Sequence, residues 1–113
     1  MGATPQELLL ASIGNCLAAT YIGGLTAAGI EVDSLRLDVS GQVDFRAAYG
    51  VAEGHPGFAS IEVAVHVGAR HPRAELDALL AKLLPTAPIP DTIMRPVPVN
   101  VAVHHAPTAA DPS

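Results

Sequence analysis

The sequence has no tryptophan, two tyrosines, two phenylalanines and one cysteine in 113 residues. Each scarcity excludes something. With so few aromatic rings, the core has to be built from Leu, Ile, Val and Ala. A lone cysteine cannot close an intramolecular disulfide, which excludes a disulfide-stapled secreted scaffold. Basic residues are scarce too: six Lys and Arg stand against eleven Asp and Glu, a net charge of −5. The six (Arg36, Arg46, Arg70, Arg73, Lys82 and Arg95) are spread along the chain, so no basic surface forms to hold nucleic acid non-specifically. No basic segment precedes the first apolar run, which argues against a secretory signal and makes the cytoplasm the expected location. Half of the residues are hydrophobic, which excludes a disordered chain. The length is that of one domain with one modest core, spanning 1–113 with a frayed tail over 106–113.

Charge is absent altogether from Leu8 to Ile30. A run this long raises the possibility of a membrane span. Against it stand Ser12, Asn15, Thr20, Thr26 and several glycines within the run, and flanks that lack basic residues and an aromatic belt. The strand patterns downstream also need a helix to cover them. A buried helix is therefore the expectation, with no membrane as partner. Thr4, Pro5 and Glu7 form its start signal: a cap, a proline suited to the first helical position, and a capping-box glutamate. It should run through Cys16 to about Ala28, with Gly29 suited to a left-handed position after the end. A helix apolar nearly all round should be buried all round.

Beyond it the hydrophobic period changes. In "SLRLDVSGQVDF", Leu35, Leu37, Val39, Gly41, Val43 and Phe45 alternate with polar residues, a long strand bent at Gly41. "AAYGVAEGHPG" reads as a loop, and "FASIEVAVHVG" as a second strand pairing antiparallel across it. Leu76, Leu79, Leu80 and Leu83 form the stripe of a second helix over residues 72–84, ended by Pro85. "PDTIM" makes one helical turn, with Asp91 and Thr92 near its start read as a cap rather than a catalytic pair. "VPVNVAVHH" reads as a last strand, with Val97, Val99, Val101 and Val103 on one face. The resulting order, α-β-β-α-β, predicts an α+β fold with helices covering an antiparallel sheet.

Few residues carry chemistry. The five histidines are scattered, His104 and His105 point to opposite faces of their strand, and the usual zinc-ligand spacings are absent, so no metal or other cofactor is expected. No glycine-rich phosphate loop or nucleophile elbow occurs. Cys16 is the one candidate. As a lone residue in an apolar helix, its default reading is packing, because free cysteine behaves as a small hydrophobe.

Four stretches change that weighting: "TPQELLLASIGNC", "VDSLRLDVSGQVDF" after "GI", "GFASIEVAVHV" and "PIPDTIMRPVPVNV". Together, from Thr4 to about His104, they resemble the OsmC/Ohr family of thiol-dependent hydroperoxide reductases. The most specific part is the P-x-E-L-L-L-A-S-x-G-x-C helix followed by P-x-x-D-T-I and P-V-x-V. The resemblance implies an intertwined homodimer with two long buried Cys helices and active sites at the subunit interface. It implies that Cys16 is a peroxidatic thiolate that takes an oxygen from an organic hydroperoxide, becomes a sulfenic acid and is cleared by thiol reductants in oxidative stress defence. Such chemistry demands a nearby cation or donor network and an apolar pocket for the peroxide.

The sequence departs from the family pattern at three places. Ala87, in "TAPIPDT", stands where the second cysteine is expected, so resolution must come from an external thiol. Gln6 stands at the position of an acidic residue ten places before the reactive cysteine; Glu7 is adjacent but faces another direction on a helix. The N-terminal strands that bring the family's thiolate-stabilising arginine have no counterpart here, as Met1 lies three residues before the Thr4 cap, and neither Arg46 nor Arg95 matches that role. Three readings follow: a one-cysteine thiol peroxidase, a dimer that binds a small hydrophobic ligand with Cys16 structural or redox-sensing, and an inactive member that keeps the fold.

Overall fold

Thr4 caps the first helix as its sequence signal requires. In a computed structural model, which describes residues 2–107, helix α1 runs Pro5–Ala27. Thr4 Oγ1 accepts a hydrogen bond from the Glu7 amide at 3.2 Å and donates one to Glu7 Oε1 at 3.1 Å. The glutamate thus reaches the cap hydroxyl, where a full capping box would have it accept from the cap amide. At the other end Gly29 takes φ 78°, the left-handed conformation that glycine adopts without steric penalty.

Strand β1 (Val32–Val43) and strand β2 (Phe58–Ala69) pair antiparallel in a two-stranded sheet. The register sets Leu35 opposite Val67, Leu37 opposite Val65 and Val39 opposite Val63, so the apolar residues of both strands share one face. The register shifts between Gln42 and Val43, one residue past Gly41. The need for glycine at 41 is steric: a Cβ there would lie 2.6 Å from the ring of Phe58. Phe45, expected as the end of the strand, instead opens a one-turn helix α2 (Phe45–Ala48), because Asp44 caps it by accepting from the Arg46 amide at 3.0 Å. The rest of the predicted loop follows, with Gly50 and Gly54 at positive φ.

Helix α3 (Arg73–Leu83) continues through a 3₁₀ turn at Leu84–Thr86 that contains Pro85, and α4 (Pro88–Met94) follows at once. Pro85 changes the helix type rather than ending the helical path, since a proline at the start of a new turn gives up no needed amide. The core lies between α1 and the sheet, closed by α3 and α4. One cluster joins Ile13, Leu17, Tyr21 and Ala87; another joins Leu25, Ile30 and Leu76. The predicted α+β arrangement, helices covering an antiparallel sheet, is what the structure has.

Two expectations need correction. First, α1 is buried along one side only. Ile13, Leu17, Tyr21 and Leu25 are buried, while Leu8 is 59% exposed and Ile22 41%. A two-stranded sheet and two short helices are too narrow to surround it. By length and composition α1 is also the one helix among the described residues apolar enough to cross a membrane, though its buried side packs on the sheet. Second, the predicted last strand does not form. Residues 96–107 carry no regular structure, and Val99, Val101 and Val103 are 84%, 83% and 78% exposed. A strand requires a ladder partner, and this segment has none among the described residues. It projects as an arm. The Cα radius of gyration is 20.0 Å, against about 13 Å for a compact chain of this size. The 106–113 tail lies outside the described residues from residue 108 onward.

Candidate functional site

Cys16 sits halfway along α1, half-buried, on the edge of the cluster formed by Ile13, Leu17, Tyr21 and Ala87. The chain segment it meets is the start of α4. The Ile89 amide donates to Cys16 Sγ at 3.5 Å. Bookkeeping of the first helical turn explains why this donor is free. A helix leaves its first amides without intrahelical acceptors. Pro88 and Pro90 have no N–H to place, and the Asp91 amide bonds to the Ala87 carbonyl at 3.1 Å. Ile89 therefore carries the single amide left over, and it points at sulfur.

Ala87, fully buried, packs in the same cluster and serves as N-cap of α4. The family resemblance pairs positions 16 and 87, which are far apart in the chain, and the fold brings them into one cluster. No second thiol is there, and Cys16 is free.

The other residues weighed from the sequence do not converge on the sulfur. Gln6 is ten residues before Cys16, about 15 Å along a helix axis. It lines a groove with Thr4, Glu7 and Phe58 at the far end of α1. Arg46 is engaged by Asp44 through Nε and Nη2, the latter at 2.8 Å. That contact and the Arg46 amide hold the Asp44 carboxyl below the usual carboxylate range, and Asp44 raises Arg46 in turn. Arg95 donates from Nε to Asp91 at 2.9 Å. Asp91 is thereby the ion-pair partner of the residue just past the end of α4 rather than its N-cap, and Thr92 donates back to the Pro88 carbonyl at 2.9 Å. His66 faces Asp38, and His71 faces Glu75. Among the described residues no group of His, Cys, Asp and Glu is arranged to hold a metal ion.

Sequence reasoning called for a donor and an apolar pocket but located neither. The donor is the Ile89 amide, whose signal was the Pro-Ile-Pro spelling itself. The other is an apolar cavity of about 300 Å³ between α1, β2 and α4, lined by Ile13, Leu17, Val63, Val65, Ile93 and others, with Tyr21 as its one phenol. Burial raises the Tyr21 phenol above the ordinary tyrosine range. No hydrophobic pattern announces a cavity formed where three elements fail to meet.

Comparison with known proteins follows from this geometry. The family described as OsmC-like protein matches residues 1–102. The chain belongs to the OsmC family. Its single cysteine, with Ala87 at the second position, is a property of this OsmC-like chain. A crystal structure of an OsmC-like protein from Mycoplasma pneumoniae superimposes with a TM-score of 0.73 at 19% identity. The alignment covers 83% of this chain and 64% of that one, so this chain spans less than two thirds of its neighbour's length. At that identity the likeness speaks for the fold alone. No curated protein matches the chain.

Proposed function

We propose that this OsmC-like protein is a one-cysteine thiol peroxidase acting on organic hydroperoxides in the cytoplasm. The Cys16 thiolate attacks the terminal oxygen of the hydroperoxide. A sulfur–oxygen bond forms, the oxygen–oxygen bond breaks, and the alkoxide takes a proton and leaves as alcohol. Cys16 is then a sulfenic acid. An external thiol attacks its sulfur, releasing water and leaving a mixed disulfide, which a second thiol reduces back to Cys16. The observation that carries this reading is the Ile89 amide aimed at Cys16 Sγ from the segment headed by Ala87. A backbone donor beside the sulfur is one part of the donor network that such chemistry demands.

The working form in this proposal is an intertwined homodimer. Three surfaces of the single chain support it: the valine arm over residues 97–103, the exposed side of α1 and the outer edges of β1 and β2, which are open among the described residues. Each is an apolar face or an unpaired ladder, and a second copy of the chain supplies what the first lacks.

The test is direct. The folded protein is treated with cumene hydroperoxide in the presence of dimedone and digested for mass spectrometry. One adduct on the peptide containing Cys16 is expected; absence of an adduct at millimolar peroxide sinks the peroxidase reading. The second reading, a carrier of small hydrophobic molecules, is favoured by one observation: Cys16 is not among the residues lining the apolar cavity. Saturable binding of a medium-chain alcohol by Cys16→Ser protein, together with no dimedone adduct in the parent, would select the carrier.

A further inference from the structure

The strongest unassigned cluster lies away from Cys16. Arg36 from β1, His66 from β2, and His71 and Arg73 from the turn into α3 line one cleft of about 830 Å³. Arg70 sits between two of its lining residues, Ala69 and His71, and makes no ion pair among the described residues. Two of the chain's six Lys and Arg residues therefore line this cleft and a third, Arg70, adjoins it in the chain, in a protein whose net charge is −5.

The carboxylates facing them decide what the cleft can hold. Asp38 Oδ2 is shared: Arg36 approaches it at 3.3 Å and His66 Nε2 at 3.1 Å. Glu75 takes His71 Nε2 at 2.8 Å, and Asp77 faces Arg73 at 3.8 Å. With both histidines neutral, the three arginines and three carboxylates cancel. With both protonated, Asp38 stands between two cations and can neutralise one, Glu75 is neutralised by His71, and Arg70 remains without a carboxylate. The groups on and beside the cleft then carry a net positive charge. Asp33, at the register shift between Val32 and Ser34, is a further carboxylate close by in the chain but does not line the cleft. Histidine is the side chain that makes this change between pH 8 and pH 5.

We propose that this cleft is a proton-gated site for a tetrahedral oxyanion, a sulfate or phosphoryl group. Guanidinium forks match two oxygens of such a group. Ser34 adds a hydroxyl that also lines the cleft and makes no hydrogen bond among the described residues. Its place depends on Gly68 across the ladder, where a Cβ would lie 2.6 Å from Ser34 Oγ. The site shares only Val65 with the residues packed around the Cys16 cluster, none of its charged groups lies there, and it stands or falls independently of the peroxidase reading.

Sulfate is the probe, because it keeps its charge over the whole range. The full chain is titrated with sodium sulfate at constant ionic strength, at about pH 5.5 and about pH 8, and followed by amide chemical shifts. Saturable shifts at Gly68, Ala69 and Arg73 are expected at the lower pH, with affinity about tenfold weaker at the higher pH and again about tenfold weaker in Arg36→Gln at the lower pH. Lys82→Gln, at the other end of α3, is expected to bind as the parent does. His66→Asn/His71→Asn protein should bind weakly at both values. Affinity independent of pH, binding unchanged in Arg36→Gln, or shifts that do not saturate would each overturn the proposal. Arg36 and Arg73 side chains are 69% and 94% exposed, so their replacement leaves the fold in place.

Discussion

Strand β2 and the arm are written in nearly the same letters. One has Ile61, Val63, Val65 and Val67 at alternate positions; the other has Val97, Val99, Val101 and Val103. Yet β2 is laddered to β1 from Phe58 to Ala69, and the arm is bare. The difference is not propensity. The connection through α2 returns β2 antiparallel to β1, so its partner is the strand before it in the chain. The arm leaves from α4, which packs on α1 rather than beside a strand edge. An alternating valine run states that a strand partner is needed. It does not say in which chain the partner lies.

The sharpest way to break the comparison is to charge the arm. On a bare arm, Val99→Asp and Val101→Asp face water and should change stability by no more than about 0.5 kcal/mol each. If a second copy covers them, each buries a carboxylate without a partner and costs upward of about 2 kcal/mol. The proposed dimer predicts the larger effect, with light scattering moving from two chains to one and denaturation midpoints of the parent rising with protein concentration. The same change in β2, Val65→Asp, should unfold the chain whatever its oligomeric state. An arm variant of unchanged stability and mass would leave the valines unpartnered in solution as well.

Next in size is a contrast between the two sides of α1. Leu25 is fully buried against Ile30 and Leu76, so Leu25→Ala should cost about 2–5 kcal/mol, read as a lower denaturant midpoint. Leu8, on the exposed side, should cost under about 0.5 kcal/mol if water is its only neighbour. A loss at Leu8 approaching that at Leu25 would show that another surface covers that side.

Where the sequence was legible, a local rule and a tertiary need agreed. Thr4, Pro5 and Gly29 bound α1 because capping is decided within a few residues. The alternation in β1 and β2 could be read because one sheet face meets α1. Phe45 was misread because its place in the period is right, while Asp44 beside it makes a cap, and capping won. The site was half legible. Positions 16 and 87 could be paired through the family pattern. The Ile89 amide could not, since a backbone donor has no letter of its own; only the prolines on either side mark it. The cleft at Arg36, His66 and Arg73 was invisible because the scattered basic residues are joined by register, and register is not written in charge.

The smallest predicted effect concerns Tyr21, which belongs to the covered side of α1, whereas Tyr49 is exposed. Burial disfavours the phenolate and raises the Tyr21 ionisation above the ordinary range. In the unfolded chain that restraint is gone, so above about pH 10 the unfolded state gives up the proton first. There the unfolded state binds fewer protons than the native one, so stability falls as pH rises. The loss begins near the unfolded value and ends once the folded phenol has ionised. Tyr49→Phe protein isolates the signal: its phenolate absorbance should rise later with pH than that of the same protein in denaturant. Tyr21→Phe should remove this part of the alkaline slope while keeping the ring in the core. If the two titrations coincide, the apolar cavity beside Tyr21 is filled with water, which would weaken the carrier reading more than the peroxidase one.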